Sequence, residues 1–168
     1  PTLSSAASDV YKRQVKTRII CDGHYITRLD EDEYADSNAV LQNVLHSDFS
    51  QWEYVILSDY NKGVLDCSKE IIEHINKFNC KVIVDPKRDA DFYQGAWLVK
   101  PNAKELLDFN FNNWQDNIIT TDAGNNVVAT IDTIKYTIPV EKVEVSDVTG
   151  AGDCFLAGFV YALTKGYS

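Results

Sequence analysis

The chain has no long apolar run, no basic cluster and no paired cysteines, and each absence removes a class of function. No stretch approaches the roughly 20 consecutive apolar residues that a membrane-crossing helix needs. Acidic residues outnumber basic ones by 25 to 16, for a net charge of −9. With no Lys/Arg cluster to offset that balance, nucleic acid and anionic membranes are poor partners. An anionic substrate has to be met locally, by loops and single cations. The four cysteines, Cys21, Cys67, Cys80 and Cys154, form no C-x-x-C pair. They read as small buried apolar residues in a reducing cytoplasm rather than as disulfides or zinc ligands. His24, His46 and His74 share no metal-ligand spacing. Internal repeats and low-complexity linkers are missing too. What remains is a globular chain of 168 residues, 45% hydrophobic, enough for one domain or a large part of one.

The first fourteen residues stand apart. Ser4 to Gln14 has no apolar periodicity and lacks the apolar core of a signal peptide. Its tail, Asp9-Val10-Tyr11-Lys12-Arg13-Gln14, looks like a translated sequencing-library adapter. Residues 1–14 are therefore expected to be an artefact, and residues 15–168 to be the domain. Without Asp9, Lys12 and Arg13 the 25 acidic and 16 basic residues become 24 and 14, and the net charge becomes −10.

From there strands and helices alternate. Val15–Cys21 and Tyr25–Leu29 flank Asp22-Gly23, a strong hairpin signal. Ser37–Leu45 reads as a helix with Val40, Leu41, Val44 and Leu45 on one side. Tyr54–Leu57 is a short apolar strand. Asp66 is expected to cap a helix whose Ile71, Ile72, Ile75 and Phe78 recur at three- and four-residue spacing. Lys81–Val84 and Trp97–Val99 read as buried strands, and Asn102–Phe109 opens a short helix before Asn117. Asn117–Thr121 and Val127–Ile131 read as strands. This order predicts an α/β fold with a mostly parallel sheet and helices on both faces.

Ligands in such sheets sit at the carboxyl ends of the strands, and the polar residues of this chain gather there. Ser58, Asp59 and Lys62 follow one strand; Asp85, Pro86 and Lys87 follow the next. Lys100, Asn102 and Glu105 follow the third, and Thr121 and Asp122 the fourth. Any one cluster reads equally as a solvated loop or a helix cap. Asn102-x-x-Glu105 in particular has the spacing of a capping box, or of two side chains that hold phosphate oxygens or a magnesium shell.

The richest stretch is Ser146-Asp147-Val148-Thr149-Gly150-Ala151-Gly152-Asp153, which runs into the apolar Cys154–Leu163. Two glycines let successive N–H groups converge on one point. The helix start behind them adds its dipole, so the turn favours an anion. Asp153 stands at its rim. An anion cradle with a carboxylate beside it is what transfer of a phosphoryl group to a hydroxyl requires: charge stabilisation, and an acceptor for the proton. The plainer alternative is a glycine turn with an ordinary N-terminal Asp. The dinucleotide fingerprint does not apply, because no third glycine stands three residues after Gly152 and no strand leads directly in.

At these residues the chain resembles a known family. Asp147-Val148-Thr149-Gly150-Ala151-Gly152-Asp153, followed by Cys154-Phe155-Leu156-Ala157-Gly158-Phe159, looks like the signature of the ribokinase-like carbohydrate kinases. Lys16–Ile20, Ile26–Asp30, Leu57–Gly63, Val84–Lys87 and Lys100–Glu105 narrow the likeness to the bacterial D-glycero-β-D-manno-heptose 7-phosphate kinases. The resemblance runs from Val15 to the end and implies a ribokinase-like domain incomplete at both ends; the Lys100–Asn117 crossover departs from the family in holding only a short helix where a longer helical segment is usual. It implies an ATP-dependent kinase that phosphorylates the C1 hydroxyl of heptose 7-phosphate, in the route to ADP-heptose and the lipopolysaccharide core. It makes Asp153 the catalytic base and Gly150, Ala151 and Gly152 donors to the migrating phosphoryl group. It puts ATP at Asn102, Ala103, Lys104 and Glu105, with Thr121 beside them and Glu105 towards Mg2+. Arg18, Lys62, Asp85 and Lys87 are the expected substrate side, with the cations meeting phosphate. The implied partners are ATP and a sugar phosphate, in the cytoplasm, with a homodimer of the full-length protein as a further expectation. Little activity is expected of these residues alone. Two alternatives stand beside this reading: another ribokinase-like sugar or nucleoside kinase, and a non-catalytic nucleotide sensor on the same fold.

Overall fold

In the computed structural model the described residues are 15–21, 24–31, 34–141 and 150–167. The chain divides into two compact units, Pro1–Ala35 and Asp36–Ser168. Within the first, β1 (Val15–Cys21) and β2 (His24–Glu31) pair antiparallel from Val15↔Glu31 to Cys21↔His24. The register shifts between Ile19 and Ile20, leaving Ile26 as the extra residue of a bulge. The Asp22-Gly23 turn itself lies outside the described residues, as do residues 1–14.

The second unit is built on six strands: β3 (Tyr54–Ser58), β4 (Lys81–Asp85), β5 (Leu98–Val99), β6 (Asn117–Thr120), β7 (Val127–Ile131) and β8 (Ile134–Ile138). They lie in sequence order across the sheet. β3 to β6 pair parallel, while β7 and β8 add antiparallel. β8 has no counterpart in the sequence reading. Its turn, Asp132-Thr133, takes positive φ at both positions (48° and 70°), the geometry of a tight hairpin turn, but without the glycine that usually marks one.

Side-chain alternation sorts two cores onto the two faces. Val82 and Val84 of β4 and Val99 of β5 point to one face. There α1 (Ser37–Leu45) contributes Val40, Leu41 and Val44, and α2 (Ser68–Asn76) contributes Ile71, Ile72 and Ile75. Leu45, expected on the packed side of α1, is exposed. Phe109, just past α3 (Ala103–Asp108), and Leu106 within it complete that side. Ile83, Leu98 and Ile119 point to the opposite face, where Leu156, Phe155, Phe159 and Val160 of α4 (Ala151–Thr164) cover them.

One expected cap is corrected. α2 starts one residue later than an Asp66 cap requires, and its N-cap Cys67 forms no side-chain cap bond. The Asp66 carboxylate instead takes a bond from Arg88 Nη1 at 2.6 Å. A charged partner across the fold outcompetes a neutral local amide. Cys67, Cys80 and Cys154 are all free, and Cys154 is exposed rather than buried.

Candidate active site

Four parallel strands end side by side, and backbone bonds carry their register past the sheet. Asp59 N donates to Asp85 O at 2.9 Å, and Lys100 N to Val84 O at 2.8 Å. Asn102 bridges Thr121 in parallel, with Ala103 N bonded to Thr121 O at 2.8 Å. The polar residues after β3, β4, β5 and β6 are thereby held along one edge.

α4 begins at that edge. Gly150 adopts φ 75°, a conformation in which an L side chain is strained. Among the described residues no side chain caps the helix, and Asp153 stands in its first turn. The first N–H groups of α4 therefore have no side-chain partner among the described residues and lie beside a carboxylate, an arrangement that suits an anion. Gly152 lies against a second positive group. A Cβ built on it would sit 3.5 Å from Lys100 Nζ. Lys100 is only 3% exposed, and its ammonium lies 3.2 Å from Asp85 Oδ1. That approach is an ion pair without hydrogen-bond alignment, since Asp85 Oδ1 is buried with no hydrogen-bond partner among the described residues. Burial pushes the Asp85 carboxyl above the usual carboxylate range, against the opposing pull of Lys100 and Lys87. A buried ammonium and a helix N-terminus meeting at one glycine leave positive potential there for an anion to satisfy.

Around this point the other side chains close in. Tyr60 Oη donates to Asp153 at 3.3 Å (Oδ2) and 3.4 Å (Oδ1). Lys87 pairs with Glu105 Oε1. Burial works to lower the Lys87 ammonium, but Glu105, Asp85 and Asp153 outweigh it and hold its pKa above the ordinary value. Glu105, 7% exposed, also closes the capping box: its Oε2 accepts from Asn102 N, and Asn102 Oδ1 accepts from Glu105 N, both at 2.9 Å. The local reading of the Asn102–Glu105 spacing is thus realised, and the same carboxylate also reaches towards the site through Lys87. Lys104 and Ala103 form the first turn of α3. Arg18 lies in β1 of the first unit, and Lys62 follows β3. Thr149, just before the glycines, lies outside the described residues.

Lys100 and Tyr60 are the contributions that sequence reasoning left without a role. Lys100 ends the apolar strand Trp97–Val99 and is followed at once by Pro101. A charge continuing a fully buried strand is the signal that it points into a site rather than to solvent. Tyr60 carried no such signal.

Residues 110–168 match the pfkB family of carbohydrate kinases. Over 174 residues the chain is 35% identical to the Bifunctional protein HldE of a Nitratiruptor species, an alignment covering 90% of this chain and 37% of that protein. The chain thus spans less than two fifths of that relative's length. Among solved structures, Ribokinase from Thermotoga maritima superposes with a TM-score of 0.58 at 21% identity, over 86% of this chain and 53% of that one. A structure assigned as Ribokinase II from E. coli, in complex with ATP and Mg2+, superposes with a TM-score of 0.66 at 13% identity, over 91% and 59%. The chain has the ribokinase-like fold, and the segment that carries its glycine turn and α4 matches the pfkB family of carbohydrate kinases.

Proposed function

We propose that this chain is part of an ATP-dependent sugar kinase that phosphorylates the C1 hydroxyl of D-glycero-D-manno-heptose 7-phosphate. The observation that carries the reading is the uncapped start of α4, where Asp153 and the Lys100 ammonium flank Gly150 to Gly152. Asp153 takes the proton of the sugar hydroxyl as its oxygen bonds to phosphorus. The N–H groups of Ala151, Gly152 and Asp153, with Lys100, hold the charge of the phosphoryl group in flight. ATP supplies that phosphoryl group, and Mg2+ neutralises charge on its phosphates. Asp85 and Glu105 are the oxygen donors suited to such an ion; the buried Asp85 Oδ1 lies 3.2 Å from the Lys100 ammonium but takes no hydrogen bond among the described residues, so it would accept a further cation. Glu105, bonded to Asn102 N and paired with Lys87, would help to hold the ion. Lys62 and Lys87 hold the substrate and nucleotide phosphates, and Asn102, Ala103, Lys104 and Thr121 line the nucleotide side.

The 35% identity to an HldE protein supports the heptose assignment, and on this reading the reaction would run in the cytoplasm, ahead of the lipopolysaccharide core. Among the described residues, no helix is long and apolar enough to cross a membrane. A second reading, a kinase for another sugar or a nucleoside, is favoured by the fold shared with Ribokinase. The two separate in one assay: ADP release by the full-length protein offered heptose 7-phosphate, ribose, fructose 6-phosphate and adenosine in parallel. Turnover dependent on the heptose supports the first reading, and turnover on another acceptor replaces it with the second.

A further inference from the structure

Behind the site lies a buried cluster of titratable groups that the reaction does not use. Tyr93, fully buried in a 3-10 helix (Ala90–Tyr93), donates its hydroxyl to Asp59 Oδ2 at 2.5 Å. The same hydroxyl accepts from Lys87 N at 3.1 Å. Asp59, 2% exposed, accepts from Arg88 Nε at 2.8 Å on Oδ2 and from Asn61 N at 2.7 Å on Oδ1. Arg88 spans from Asp59 to Asp66. Two charged side chains and a phenol have thus left water where an apolar core could have been built. Such burial is costly unless every partner is held.

What the cluster holds is the pair of loops that reach the site. The Asn61 bond fixes a turn with positive φ at Asn61 and Gly63, and that turn presents Tyr60 to Asp153. The bond to Lys87 N fixes the loop after β4, whose Lys87 pairs with Glu105. We propose that Tyr93, with Asp59 and Arg88, is a positioning residue for phosphoryl transfer, one hydroxyl setting the β3 loop at the base against the β4 loop at the nucleotide side. The inference rests on the kinase reading above. It goes beyond that reading by assigning control of the reacting geometry to a residue that touches no substrate.

Tyr93→Phe is the test, made in the full-length protein, because the ring keeps its stacking on Phe111 (centroids 6.2 Å apart, planes at 18°) while the bridge is lost. The readouts are kcat and KM for ATP and for heptose 7-phosphate, with ATP binding and Tm measured alongside. The expected result is a roughly ten- to hundredfold fall in kcat, the order that small misplacements of reacting groups produce. KM for ATP should stay within roughly threefold, because the interaction lost matters to the transition state rather than to binding. Arg88→Lys, which keeps the charge but cannot span Asp59 and Asp66, should show a smaller fall and serves if Tyr93→Phe does not fold. Asp59→Asn combined with Tyr93→Phe should lose little more than the worse single change, because both remove one device. An unchanged kcat in folded Tyr93→Phe or Arg88→Lys, with only Tm lowered, overturns the positioning role and leaves the kinase reading intact. Absence of phosphoryl transfer in the parent protein overturns the kinase reading and this inference with it.

Discussion

A methyl group added at Gly152 meets the Lys100 ammonium at 3.5 Å, an ordinary contact, and the backbone there is not in the left-handed region. Gly152→Ala is therefore tolerated by the fold, and by helix propensity gains up to about 1 kcal/mol. It nonetheless fills the space in which the anion would meet Lys100. The expected outcome is an unchanged or raised Tm with turnover reduced by about tenfold or more; equal turnover would show that no anion sits there. Gly150 behaves differently. With φ 75°, Gly150→Ala costs on the order of 1–2 kcal/mol in backbone strain alone, so its effect on activity is less diagnostic. Lys87 makes a prediction in pH. Its folded pKa lies above the ordinary 10.5, so the stability its pairing contributes is present below about pH 10.5 and is lost as pH rises through the folded value. Alkaline unfolding of the parent should show this loss, and Lys87→Met should remove it. A variant with the same alkaline profile as the parent would contradict the Lys87–Glu105 pairing.

Among the elements, α2 was the most legible because its signal is purely local. Ile71, Ile72 and Ile75 fall on one stripe, and all three are at most 1% exposed. Ile72→Ala should cost about 2–5 kcal/mol, read as a lowered denaturation midpoint; a loss near zero would mean that α2 does not pack on the sheet as described. The parallel strands β3 to β6 were equally legible, since each is a short apolar run followed by polar residues. Other features depend on partners distant in sequence. Asp66 lost its expected capping role to Arg88, 22 residues away. The strand β8 was hidden because its turn uses Asp132 and Thr133 in place of glycine. In the site, the glycines, Asp153 and the strand-end residues could be read from spacing. The Lys100 contact with Gly152 could not, because it joins the end of β5 to α4 through the third dimension.

At the scale of the whole second unit, the parallel run from β3 to β6 brings four strand ends to one edge, and among the described helices α4 covers the opposite face. The anion-facing start of α4 and the polar strand ends therefore come from separate layers of the sandwich. Their convergence on Gly152 is a product of the fold rather than of any single motif. The central claim is that Asp153, placed by that convergence, is the base of phosphoryl transfer. The most direct test compares Asp153→Asn with the parent full-length protein, measuring ADP release with heptose 7-phosphate and, separately, ATP binding. The account predicts turnover lower by about 10²- to 10⁴-fold, with ATP binding nearly unchanged. Turnover close to that of the parent, or loss of ATP binding together with turnover, would contradict it.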